Sequence, residues 1–298
     1  MTLDGAARAG ATPQAMVDPA APAASTTAPA SASPSRGRRA SVPARRSRLR
    51  WAPAILAALL FGSWELAGRL EWIPVLFFPT PSVILGTIWD MASSGELPVH
   101  IGATLSRLLL ALGWGGGAGL ILGMGMGYWP RLRTVVDPFV AALHPVPKMS
   151  LLPLIMLIFG IGWFSKALVV AVSTFFPMTI NAMAGVRQID PNYFDVAKVY
   201  GATRWRVFRR VVVPGSLPLV LAGARMAMNR ALGATIGLEL ITAETGLGSM
   251  LFFAWQTLRT EELYATIFVI AALGWLFRWI TNRIALALVP WQGDPRGV

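Results

Sequence analysis

Ionisable groups set inside long apolar runs are the residues of this chain whose chemistry stands out. Arg225 and Asn229 are four positions apart, which puts them on one face of a helix, and Arg230 is adjacent. Lys148 sits among Pro145, Pro147 and Pro153, while Glu239 closes an apolar run and is followed by Glu244. A charge in such a run is costly unless it faces a bundle interior or an aqueous cavity. Arg225, Asn229 and Arg230 therefore read either as the lining of an anion path or as charges that pair and snorkel to an interface. Lys148 reads as a pathway cation or as packing in a broken helix. Glu239 reads as a gate or partner contact, or as a structural group in a re-entrant turn that Gly246 and Gly248 permit. No motif for bond-making chemistry appears: His-x-x-x-His, Gly-x-Ser-x-Gly and Asp-rich clusters are all missing. There is no cysteine, so thiolate nucleophiles and thiolate metal sites are excluded. His100 and His144 show no metal spacing. None of Lys148, Lys166 and Lys198 follows a glycine, so the phosphate-cradling loop of an ATPase is missing. No catalytic residue, metal or cofactor is expected.

The elements that must position these groups follow from composition. The chain of 298 residues is 55% hydrophobic and 13% charged, with a mean hydropathy of +0.57. Soluble chains carry about 25% charged residues, so these values describe a helical membrane protein. A spanning helix needs about 20 mostly apolar residues, and six candidates occur, at 51–68, 101–128, 135–160, 165–185, 215–239 and 263–288. The third is interrupted by its prolines, which predicts a kinked or broken helix. Gly115, Gly119, Gly123 and Gly127 form a stripe on the second, read as tight helix packing rather than a sliding gate.

The net charge of +12 does not mark a nucleic-acid binder. Half of it comes from residues 1–50, where eight arginines face only Asp4 and Asp18. Ala, Pro, Ser and Thr dominate 1–35, so a disordered basic tail (1–50) is expected, anchored to anionic lipid on the cytoplasmic side. The arginine pair at 45–46 resembles an export signal, but no clear cleavage site follows, and a retained signal anchor is expected. Basic loops at 131–133 and 187–214 alternate with acidic ones at 69–100 and 240–262, which places both termini in the cytoplasm. Residues 51–290 then form the membrane domain and 291–298 a short tail.

The segment 187–214 is the most distinctive. Asp190 and Pro191 suit a helix cap and first turn. Gly201 allows a sharp turn, and a basic amphipathic stretch ends at Pro214. Such an element lies on a membrane surface or docks into a partner's groove. Asp195, Val196 and Ala197 are followed after three residues by Gly201, after nine more by Val211, then by Val213 and Pro214. This spacing resembles the signature of the membrane subunit of ATP-binding-cassette importers: Glu-Ala-Ala, three residues, Gly, nine residues, Ile, one residue, Leu-Pro. Asp replaces Glu, and Val replaces the first Ala, Ile and Leu. The stretches at 78–82, 146–153, 159–162 and 239–248 resemble the branch that handles sulfonates, taurine, nitrate and bicarbonate.

The resemblance implies a type I importer permease: an all-α membrane protein of six transmembrane helices with a cytoplasmic coupling helix in 187–214. It implies that Asp195, Val196, Ala197, Tyr200, Gly201 and Pro214 belong to the element docked on a separate ATPase. It further implies two ATPase copies, a second permease copy, an external substrate-binding protein and a location in the bacterial inner membrane. Arg225, Asn229, Arg230, Lys148 and Glu239 are the pathway candidates. Related members take pyrimidine vitamin precursors, so that substrate class is the alternative within the family. A secondary transporter would leave the docking loop unexplained, and no clear internal repeat supports one.

Overall fold

The computed structural model describes residues 51–242 and 245–290. The two tails at 1–50 and 291–298, and Glu244, lie outside them. Every regular element among the described residues is helical. α1 (Ala52–Arg69) precedes α2 (Pro81–Ser93) and α3 (Glu96–Ala111). A π turn at Leu112–Gly116 joins α3 to α4 (Gly117–Tyr128) in one continuous rod. α5 (Pro130–Leu143) and α6 (Leu152–Phe159) flank a 3-10 turn, and the pair is bent by 92°. α7 (Trp163–Arg187) is followed by the short α8 (Pro191–Val199) and by α9 (Arg204–Val207). A second π turn at Phe208–Val212 carries α9 into α10 (Val213–Thr242), again as one rod. α11 (Leu247–Gln256) and α12 (Thr260–Leu288) complete the chain.

Four of these rods are long and apolar enough to cross a membrane, or five if the bent pair counts as one span. The sequence predicts six. The remaining candidate is α1, which has only 18 residues and ends in a Glu65–Arg69 ion pair of 2.7 Å. Those charges lower its apolar character. Glu65 also accepts bonds from the Ser82 amide (3.0 Å) and hydroxyl (2.7 Å), which fastens the start of α2. The break between α5 and α6 falls at Pro145 and Pro147, where two backbone donors are missing.

α7 is the centre of the bundle. Its apolar side chains Val169, Val170 and Ala171 pack with Leu108 of α3, Ile155 of α6, and Ala231 and Leu238 of α10. The glycine stripe explains how α4 approaches so closely. A Cβ on Gly115, Gly119, Gly123 or Gly127 would run into α7 at Ala171, Phe175, Thr179 and Val186 respectively. Gly185 and Gly223 do the same between α7 and α10, where added carbons would meet Ser216 and Asn181. The stripe is thus a packing seam within one chain. Lipid supplies no hydrophobic force between helices, so close van der Waals contact must hold them. Thr174 of α7 ties the end of α3 to it by donating to the Ala111 carbonyl (3.2 Å), and also donates to Ala171 within α7 (2.8 Å).

Gly119→Ala is expected to destabilise the protein by about 1–3 kcal/mol through overpacking. Gly117→Ala, where nothing lies within 4 Å of the added carbon, is expected to be neutral or stabilising. Thermal unfolding of the two variants in detergent checks the contrast.

Candidate functional site

The loop after α7 is built from local signals. Asp190 caps α8 by accepting from the Asn192 amide at 2.9 Å, with Pro191 in the first turn. Gly201 turns the chain with φ of 64°, a left-handed conformation that disfavours side chains. Thr203 then caps α9 by accepting from the Arg206 amide. α8 presents Tyr193, Val196, Val199 and Tyr200 outward, the last two 85% and 83% exposed. Asp195 is also exposed and pairs with Lys198 at 2.9 Å. Ala197 lies half-buried beneath them. Pro214 sits in the first turn of α10, just after the π turn, where its missing amide leaves an upstream carbonyl free to re-pair. Tyr128 at the end of α4 packs edge-on against Phe208 (5.9 Å between centroids), so the loop is tied to the bundle. The result is an exposed apolar face with charges at its margin.

A second feature lies deeper. The α5–α6 link, α7 and α10 enclose an open cavity of about 610 Å³. Lys148, Asn229 and Arg230 all line it, joined by His144, Ser173 and Phe176. Three of the five pathway candidates are therefore brought together. Arg225 is not in the lining; it lies one turn along α10, with its Nε buried and making no hydrogen bond among the described residues. Lys148 donates to the carbonyls of Leu143 (3.2 Å) and His144, and its ammonium stands 4.7 Å from the centroid of the Phe176 ring. These contacts fix the cation at the edge of the cavity. No carboxylate is among the lining residues.

Glu239 belongs elsewhere. It is 2% exposed and forms an ion pair of 2.6 Å with Arg107 of α3, itself 8% exposed. The carboxylate also accepts from the Thr104 hydroxyl (2.9 Å) and the Gly248 amide (3.0 Å). Arg107 reaches on to the carbonyl (2.5 Å) and hydroxyl (3.0 Å) of Thr245. Thr104 accepts from the Leu247 amide at 2.9 Å, and His100 accepts from Gly246 at 3.0 Å. Buried Lys166 borders the same spot. The turn before α11 is thus clamped onto α3, and side chains at Gly246 or Gly248 would strike Glu239. Of the two readings of Glu239, this geometry matches the structural one. Arg107 was legible as a charge within an apolar span, which demands a partner, but its partner 132 positions away was not.

Similarity to known proteins agrees with this architecture. Residues 115–293, well over half of the chain, match the family described as binding-protein-dependent transport system inner membrane component. The chain belongs to that family. The permease is 32% identical over 262 residues to the taurine transport system permease protein TauC of Escherichia coli strain K12, covering 84% of this chain and 95% of the relative. It is 30% identical over 253 residues to the putative aliphatic sulfonates transport permease protein SsuC of Bacillus subtilis strain 168, covering 85% and 92%. The structure described as inward-facing conformations of the MetNI methionine ABC transporter superposes with a TM-score of 0.56 at 18% identity, over 64% of this chain and 95% of that one. The shared fold is the type I importer permease, and the chain is the multi-pass permease subunit of a binding-protein-dependent importer.

Glu239→Gln leaves Arg107 buried without its counter-charge, and a loss of about 3–5 kcal/mol is expected. Combining Arg107→Met with Glu239→Leu is expected to recover part of it, read as thermal unfolding of the solubilised permease. At the loop, Gly201→Val strains the left-handed turn by about 1–3 kcal/mol. The variant is expected to insert into membranes normally but to expose the 198–204 backbone to limited proteolysis.

Proposed function

We propose that this permease imports a small oxyanion of the sulfonate class, driven by ATP hydrolysis on a separate subunit. The observation that carries the substrate class is the cavity: Lys148 and Arg230 line it with Asn229, and no carboxylate faces them. Two cations with no carboxylate among the lining residues give the cavity a positive field that draws in an anion. The names of the relatives, taurine and aliphatic sulfonate permeases, point the same way.

Energy enters through the α8 loop. Tyr193, Val196, Val199 and Tyr200 form the apolar knob that an ATPase groove receives, with Asp195 at its edge and Gly201 and Pro214 fixing its angle. One chain supplies half a pathway, so two copies pair, each with its own ATPase, and an external binding protein delivers the ligand. The excess of Arg and Lys at 187–214 supports a cytoplasmic loop with both termini on the same side. Closure of the ATPases rotates the two permeases between inward- and outward-facing states as rigid bodies.

ATP hydrolysis in proteoliposomes holding the permease, its companion ATPase and binding protein tests this reading. Stimulation is expected with a sulfonate-loaded binding protein and not with a pyrimidine-loaded one. An ATPase that never co-purifies would overturn the docking assignment. Co-purification without stimulation by any sulfonate would overturn the substrate class.

A further inference from the structure

A second hollow lies where the α8 loop folds back on the bundle. It is a pocket of about 570 Å³, and Arg187, Lys198 and Arg204 line it with a single carboxylate, Asp195. Tyr128, Trp129 and Phe194 supply its aromatic surface. Three rods fix its level. One apolar rod ends at Tyr128, another ends at Arg187, and a third begins at Arg204. The pocket therefore sits where spans give way to water, which is the level of lipid headgroups. Tyr and Trp concentrate at that level, with the ring at the acyl boundary and its polar edge wet.

The charges of the pocket do not cancel. Asp195 is already bound to Lys198 at 2.9 Å. Arg187 and Arg204 form no ion pair among the described residues. The C-termini of α4 and α7 bring about half a negative charge each, which lowers the positive excess without cancelling it. What remains suits a singly charged phosphodiester better than free phosphate, which carries nearly two charges at neutral pH. Arginine forks match phosphate oxygens in geometry as well as charge. Pro191, Phe194, Asp195 and Lys198 fall at i, i+3, i+4 and i+7, so one face of α8 lines the pocket. Tyr193, Val196 and Tyr200 lie exposed on the other face.

We propose that this pocket binds the phosphodiester headgroup of an anionic membrane lipid, with Arg187 and Arg204 on the phosphate and the aromatic rings against its glycerol. The bound lipid bridges α7, α8 and α9 and holds the loop at one angle to the bundle. Its effect on coupling rests on reading α8 as the ATPase-docking element; the lipid site itself does not.

Native mass spectrometry of the full-length permease in detergent, alone and with its ATPase, tests this with phosphatidylglycerol, phosphatidylcholine and inorganic phosphate. Phosphatidylglycerol is expected to bind more tightly than phosphatidylcholine, whose choline meets like charge, and to raise the unfolding temperature. Arg187→Gln combined with Arg204→Gln is expected to weaken it at least about tenfold, the worth of one hydrogen bond to a charged group. Arg209→Gln combined with Arg210→Gln removes the same charge outside the pocket lining, and a clearly smaller effect is expected. The basic tail at 1–50 is unchanged in both variants, so its own attraction for anionic lipid drops out of the comparison. Equal loss in the two double variants would overturn the pocket and leave a diffuse basic surface. Equal affinity for phosphatidylcholine would overturn the anionic preference. Inorganic phosphate binding as tightly as phosphatidylglycerol would overturn the lipid as ligand and leave a soluble-phosphate site. Lipid binding that vanishes once the ATPase is added would overturn the lipid as occupant of the working complex. Intact lipid binding in a permease that never co-purifies with an ATPase would support the site and overturn the docking reading alone.

Discussion

The close approach of α4 and α10 to α7 is the constraint from which the rest of the bundle follows. In lipid the tails solvate an apolar side chain as well as another helix does, so burial of Leu or Val draws no two helices together. Contact must come from surfaces that fit at backbone distance. Glycines at 115, 119, 123 and 127 supply that fit on one side of α7, and Gly185 with Gly223 supplies it on the other. The larger apolar side chains then fill the spaces that these seams leave, as Val169 and Val170 do among α3, α6 and α10. The cavity walls inherit their position from this packing, because Ser173 and Phe176 sit on the helix that the seams immobilise.

Against that apolar frame the polar groups fall into two kinds. Arg107, Glu239 and Thr104 form a closed set whose donors and acceptors answer one another, and the set holds Thr245 and Gly248 at the start of α11. Non-helical backbone is tolerated at depth only when its amides and carbonyls are met by protein. The cations of the cavity form an open set. Lys148 is held by carbonyls and a ring, and Arg230 beside it faces no acid among the lining residues. The first arrangement stabilises a conformation; the second leaves positive charge at the cavity edge.

Features decided by neighbouring residues were legible in the sequence. The cap at Asp190, the turn at Gly201 and the break at Pro145 and Pro147 each depend on a few adjacent positions, and each appears where the residues predict it. The glycine period likewise marked a packing face. Pairings across the bundle were not legible. Glu239 showed no sign in the sequence of its bond to Arg107, nor Lys148 of its place beside Arg230 from another helix. Arg225 shares a helix face with Asn229, yet a face runs the whole length of a rod while a cavity occupies only part of it. The sequence could give the angle of a residue around its helix but not its depth relative to a break in a neighbouring one. The count of spans shifted for a related reason: α1 meets the length criterion only marginally and ends in a charged pair.

The second π turn lies close to the start of a rod that runs without a break from Arg204 to Thr242. At a rise of 1.5 Å per residue, the segment from Arg204 to Arg230 spans roughly 39 Å. This single rod begins beside the α8 loop, carries Arg230 about two-thirds of the way along and ends just beyond Glu239. In a rod of that length a tilt at the loop end is carried as far as Arg230, and the close contact of Gly223 with α7 lies between the two.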